Sequence, residues 1–238
     1  MPRNPVQFQK GMSDADFDRL YGTEDQCREA LFTWRWPRGF TCPNCGGNKH
    51  SVIATRSTYQ CCACRSQISL ISGTIFHSTK LPLKTWFRAI YHITQTKGGI
   101  SSLELSRRLG VTPNTAWKIA HKLMQVMHER DAVKGLTGRV EMDDAYIGGK
   151  RSGKRGRGSA GKVPFVAAVE TTEDGKPHRI KLHPVSGFTS VAIGNAAASL
   201  LSGECHVVTD GLACFAGVTR QGVVHHPLRT TGDKILRD

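Results

Sequence analysis

The spacing of apolar residues changes along the chain, and each change marks a different structural element. From Pro82 to Lys97, Leu83, Trp86, Phe87, Ile90, Tyr91 and Ile93 recur at helical spacing until Gly98-Gly99, which predicts an amphipathic helix. A second helix is expected from about Ser101 to Leu109. Gly110-Val111-Thr112 then forms a tight turn, Thr112 suits an N-cap and Pro113 a first helical position. A third helix is predicted to continue through Trp117, Ile119, Leu123 and Met127. Beyond Lys134-Gly135-Leu136-Thr137-Gly138 the texture becomes strand-like. Arg139 to Ile147, Val163 to Thr171 and His178 to Val185 read as strands, Ser190 to Leu201 as an alanine-rich helix, and Cys205 to Thr209 as a strand ending at Asp210-Gly211. Val223 to Pro227 reads as a fifth strand.

Helix, short Gly-bearing turn and helix form a helix-turn-helix arrangement, although an ordinary helical hairpin has the same pattern. Its second helix would present Asn114, Thr115, Lys118 and Lys122, with Arg107 and Arg108 on the helix before it, residue types that reach phosphates or base edges. Charge favours that use. The 238 residues hold 33 Lys and Arg against 19 Asp and Glu, a formal net charge of +14. Such an excess attracts a polyanion, with binding that weakens as salt rises. There is neither a run of eighteen apolar residues nor an apolar signal core, so a cytoplasmic, nucleoid-associated protein with no membrane partner is expected.

Cysteines cluster where the pattern is least regular. Cys42 and Cys45 form one C-x-x-C knuckle, and Cys61 and Cys64 a second; Cys62 interrupts the second without fitting its spacing. Four thiolates with no open position imply structural zinc, and the strand-like residues 51–55 and 67–70 complete a zinc ribbon.

Acid within this basic chain is the other chemical signal. Glu141-Met142-Asp143-Asp144 puts three carboxylates on the first strand of the last segment, and a run of this kind in isolation is more often a solvated turn or a salt-bridge partner than a metal site. Strand order separates the two. Three strands, a helix and a strand ending in an acid match an RNase-H-like sheet, whose first and fourth strands are neighbours, so Asp143 and Asp210 would face one another across a shared divalent ion. Residues 150–162 carry six cations among glycines; Lys150, Lys154, Arg155 and Arg157 are expected to contact phosphate from a loop beside that site.

Several blocks together resemble the ISXO-like insertion-sequence transposases. They are Arg35-Trp36-Pro37 leading into Cys42-Pro43-Asn44-Cys45, Ser69 through Phe76 continuing to Phe87, Thr115-Ala116-Trp117, Asp143 through Lys150, and Thr209-Asp210-Gly211-Leu212. The resemblance implies DNA cleavage and strand transfer at transposon terminal repeats on double-stranded DNA, with Mg²⁺ or Mn²⁺ held by Asp143, Asp210 and a third residue beyond the fifth strand, and a homo-oligomer on paired ends. The tail after Pro227 departs from the family pattern, so a truncated copy with impaired catalysis is expected. A non-catalytic regulator or competitor of transposition, and an RNA-associated zinc-ribbon protein, are the competing readings.

The expected fold is therefore α+β and multi-domain. Residues 1–40 form an N-terminal helical segment, 41–76 the zinc ribbon, and 77–134 a helix-turn-helix-like DNA-binding segment. Residues 135–238 form an incomplete RNase-H-like α/β domain with a mixed sheet, lacking its C-terminal helix.

Overall fold

The computed structural model describes residues 11–96, 98–148 and 161–228. The chain separates into two compact units, dividing between His128 and Glu129.

The first unit opens with helices α1 (Asp14–Tyr21) and α2 (Glu24–Arg35). Ser13 caps α1, and a reciprocal capping box between Thr23 and Gln26 starts α2, satisfying amides that the first turn leaves without partners. A three-stranded antiparallel sheet follows: β1 (His50–Ile53), β2 (Thr58–Cys61) and β3 (Gln67–Ser69). β2 is the strand that the spacing pattern missed, because four residues ending in a knuckle cysteine carry too little alternation to register. Helices α3 (Leu83–Gln95), α4 (Ser102–Leu109) and α5 (Pro113–Ala132) complete the unit, α5 continuing past its boundary.

Pro82 gives α3 no side-chain cap. Glu24 at the start of α2 supplies one instead, its carboxylate accepting from the Leu83 and Lys84 amides at 3.0 Å each. Between α4 and α5, Gly110 adopts φ 66° and its amide donates to Ser106 O, closing the turn, while Thr112 Oγ1 accepts from the Thr115 amide at 3.3 Å. Phe17, Leu31, Trp86, Phe87, Leu105 and Ile119 belong to one core here. On α5 the buried stripe is Ala116, Ile119, Ala120 and Leu123; Trp117, expected on the apolar face, is exposed because at ~100° per residue it falls off that stripe, whereas Met127 is in line with the stripe but exposed, beyond Leu123, the last buried residue of the helix.

The second unit is a five-stranded sheet ordered β6-β5-β4-β7-β8. Its strands are β4 (Leu136–Ile147), β5 (Val163–Thr171), β6 (Pro177–Pro184), β7 (Leu201–Thr209) and β8 (Val224–Pro227), with α6 (Ser190–Leu200) between β6 and β7 and a 3₁₀ segment, Ala213–Gln221, between β7 and β8. The first three strands are antiparallel, whereas β7 and β8 run parallel to β4, giving the mixed sheet that the element order predicts. Both β4 and β7 begin earlier than their sequence-derived limits, at Leu136 and Leu201. Val140 and Met142 on β4, Val166 and Ala168 on β5, and Val207 on β7 are buried in a core with Ile193, Ala197 and Phe215. Alternation then turns Glu141, Asp143 and His206 to the opposite, exposed face. The end of α5 is tied to β6 by buried Lys181, whose Nζ donates to Asp131 O at 2.6 Å.

No helix among the described residues is long and apolar enough to cross a membrane.

Candidate metal centres and nucleic-acid surface

The two cysteine knuckles adopt one turn twice. Gly46 follows the first at φ 73° and donates to Cys42 O; Arg65 follows the second at φ 62° and donates to Cys61 O. A non-glycine residue in the left-handed region costs roughly 1–2 kcal/mol, so the second turn is held by something stronger than local preference. The four sulfurs of Cys42, Cys45, Cys61 and Cys64 lie within 4.8 Å of one another. Cys42 Sγ to Cys64 Sγ and Cys45 Sγ to Cys61 Sγ are both 3.6 Å. Tetrahedral zinc with bonds of about 2.3 Å sets its sulfurs about 3.8 Å apart, whereas a disulfide would require about 2 Å, so the arrangement fits the ion. A side chain at Gly47 would begin 3.3 Å from Cys61 Sγ and 3.4 Å from Cys45 Sγ, which leaves glycine to line the cradle.

Electrostatics point the same way. The Ser66 hydroxyl and then the Ser66 amide hold the Cys64 thiol down at about 6. Ser66 Oγ accepts from Asn44 Nδ2 at 2.8 Å and from Cys64 Sγ at 3.2 Å. At Cys45 the Gly47 amide favours the thiolate, but Cys64 and Cys61 beside it push the thiol up to about 12. Four thiolates within 4.8 Å of one another repel, and a shared cation relieves that repulsion. Cys62 is exposed and outside the group.

In the second unit, β4 and β7 pair in parallel up to Glu141 opposite Val208. Two residues further along each strand come Asp143 and Asp210, which places both acids at the end of one row on the exposed face. Ala167 sits across from Asp143 on β5 and takes little room. One backbone amide fixes each carboxylate: Asp144 N donates to Asp143 Oδ1 at 2.8 Å, and Leu212 N to Asp210 Oδ1 at 3.0 Å. Asp144 joins them, since a ligand atom from each of Asp143, Asp144 and Asp210 lies within 4.8 Å of the others. β4 runs on beyond its last pairing with β7, so Asp144 sits on an open edge. Sequence reasoning left Asp144 without a role, because strict alternation sends adjacent side chains to opposite faces. A hard divalent cation with oxygen ligands fits this donor set.

An opening of about 500 Å³ beside Asp143 and Asp210 is lined by these two acids with Glu141 and Val208 among others. Glu141 is paired with Arg139 at 3.1 Å. Beside it, Arg139, His206 and His226 line a second opening, with the two imidazoles stacked and Nδ1 to Nε2 at 3.4 Å. Below Asp210, His225 Nε2 is 3.0 Å from Thr209 Oγ1, and burial followed by the nearby His226 lowers the His225 pKa. The sequence reading missed these three histidines, since a lone histidine in a strand has no distinguishing spacing.

The other anticipated contacts differ in availability. Arg107, Asn114 and Lys118 are exposed. Arg108 is also exposed but its Nε is bonded to Glu104 at 2.8 Å, and Thr115 Oγ1 is 2.9 Å from Thr112 Oγ1 within the α5 cap. Lys122 turns back to Ile75 O at 3.2 Å and lies over the Trp86 ring. Lys150, Lys154, Arg155 and Arg157, and the tail expected to lack a third ligand, lie outside the described residues.

Residues 135–235 match the family model of the ISXO2-like transposase domain, and residues 22–67 match that of the transposase zinc-ribbon domain. A protein of Halobacterium salinarum named "Uncharacterized protein in transposable element ISH50" is 27% identical over 235 residues, covering 87% of this chain and 76% of the relative. The two matched domains imply structural zinc in the ribbon and a divalent metal for the second domain.

Proposed function

Because the chain belongs to the ISXO2-like insertion-sequence transposases, through both its zinc ribbon and its DDE domain, we propose that it acts on double-stranded DNA at transposon terminal repeats by metal-dependent cleavage and strand transfer. The convergence of Asp143, Asp144 and Asp210 at the end of adjacent parallel strands carries this reading. In it, Asp143 and Asp210 hold Mg²⁺ or Mn²⁺, with Asp144 on the open edge beside them. Bound there, the ions would activate the attacking oxygen and stabilise the leaving one. The amides of Asp144 and Leu212 keep both carboxylates oriented, and the apolar neighbours Ala167 and Val208 leave space for a sugar-phosphate strand. Arg107, Asn114 and Lys118 supply exposed donors to DNA from the α4–α5 turn.

The test is end cleavage and joining on terminal-repeat duplexes with Mg²⁺ or Mn²⁺. The expected result is activity that falls at least ~10²-fold in Asp143→Asn and Asp210→Asn with DNA binding retained, as loss of transition-state charge stabilisation predicts. Wild-type protein that binds the ends yet stays inert with both ions would replace this reading with that of a regulator or competitor, the outcome that impaired catalysis also predicts. Failure to bind DNA would overturn both.

A further inference from the structure

A cleft in the first unit lies away from the cysteines and from the α4–α5 turn. It measures about 560 Å³ and is bordered by α2, by the turn after β1 and by the segment that leads into α3. Four cations line it: Arg28, Arg56, Lys80 and Lys84. Its single acid, Glu24, is committed to the α3 amides of Leu83 and Lys84 and lies 3.7 Å from Arg28 Nε. Four positive charges against one negative leave the cleft with a formal charge of +3. Leu70, Leu81 and neighbouring apolar side chains form part of its wall, and a low-dielectric wall focuses the field of one-sign charge into the opening. Arg56, Lys80 and Lys84 are exposed, and no described acid forms an ion pair with any of them.

We propose that this cleft between α2, the β1–β2 turn and the α3 entry binds the phosphodiester backbone of duplex DNA, as a second contact surface distinct from the α4–α5 turn. The proposal rests on the DNA reading above. Charge complementarity selects the occupant: a strand of phosphates supplies regularly spaced single negative charges, and the cleft offers separate cations from three chain segments. Contacts of this kind position the duplex without reading its bases. Glu24 caps α3, which fixes Lys84 at the rim and aims the cleft's one carboxylate at the helix amides, and its charge is already counted in the net +3.

The experiment uses the full zinc-loaded chain and compares wild type with Arg56→Ala/Lys80→Ala/Lys84→Ala. Binding to a terminal-repeat duplex and to an unrelated duplex is measured as a function of salt. Each lost phosphate contact makes the log–log slope shallower by about 0.9, so the triple variant should lose about 2.7, equivalent to about 500-fold weaker binding at 0.1 M salt. The loss should be the same on both duplexes, and restoring one cation as Arg56→Lys should return about 0.9 of slope. An unchanged urea midpoint by tryptophan fluorescence establishes that the variant is folded. A folded triple variant with the wild-type slope overturns the cleft while leaving the DNA reading intact. Wild-type protein that binds no DNA overturns both, and tighter binding to duplex RNA with the same cation dependence overturns DNA as the occupant.

Discussion

Arg35 offers a stringent test of how the ribbon is held to the helices. It ends α2, and its Nη1 donates to the carbonyls of Leu70 at 2.6 Å, Ser72 at 2.7 Å and Ser69 at 3.2 Å, pinning the exit of β3. Its guanidinium also lies 5.0 Å from the Trp36 ring centroid. Burial lowers the Arg35 pKa, so desolvation offsets part of what these bonds contribute. A hydrogen bond to a charged group contributes roughly 1.5–3 kcal/mol, and one nitrogen with two protons makes two strong bonds at most. Replacing Arg35 by Met keeps the apolar stem and removes the donors, which predicts a loss of about 2–4 kcal/mol. Arg35→Lys, a single-point donor, should fall between the two. The readout is selective, because Trp34, Trp36, Trp86 and Trp117 are the chain's four tryptophans and all lie in the first unit. Urea unfolding followed by tryptophan fluorescence should show the midpoint of Arg35→Met falling by roughly 1–3 M at unchanged slope. A displacement under about 0.3 M, the size of an ordinary surface substitution, would refute the reasoning.

Two further outcomes follow from the cysteine cluster and the sheet core. Protein purified reduced should carry one zinc per chain, with stoichiometry lost in Cys61→Ser and Cys64→Ser and kept in Cys62→Ser; chelation should change the emission of Trp36, which packs with Phe40 and Tyr59 beside the small sheet. Reduced protein with no zinc by elemental analysis would reject the four-sulfur site. At Gly217 an added Cβ would lie 2.0 Å from Ser190 O, so Gly217→Ala must separate the 3₁₀ segment from α6, at a cost of roughly 1–3 kcal/mol or more. Amide exchange in α6 and β7 should rise while the tryptophan-detected midpoint stays put, and unaltered exchange in α6 would show that the contact relaxes without cost.

The structure reproduces what depends on near neighbours. The α4–α5 turn, with Gly110 left-handed and Thr112 capping α5, follows from local backbone chemistry and was legible residue by residue. So was β5, whose limits fall at Val163 and Thr171 as the pattern predicts. β2 was not, since its length leaves no period to read, and Trp117 was placed on the wrong face because helical spacing alone does not distinguish a stripe from its neighbour. At the acids, the order of strands and helix pointed to Asp143, while the entry of Asp144 into the group needed the edge that β4 forms beyond β7.

The sequence by itself determined the thiolate spacing, the excess of positive charge, and the order of strands and helix that sets Asp143 and Asp210 on neighbouring strands, because each is a property of local spacing or of chain order. Only the tertiary structure decided how those charges are deployed. It bonded Lys122 to Ile75 O and occupied Arg108 with Glu104, and it committed Glu24 to an amide pair 59 and 60 residues away. It also gathered Arg28, Arg56, Lys80 and Lys84 from three segments into one cleft. The physical reason is that a charge acts through distance and burial, and packing between distant segments sets both.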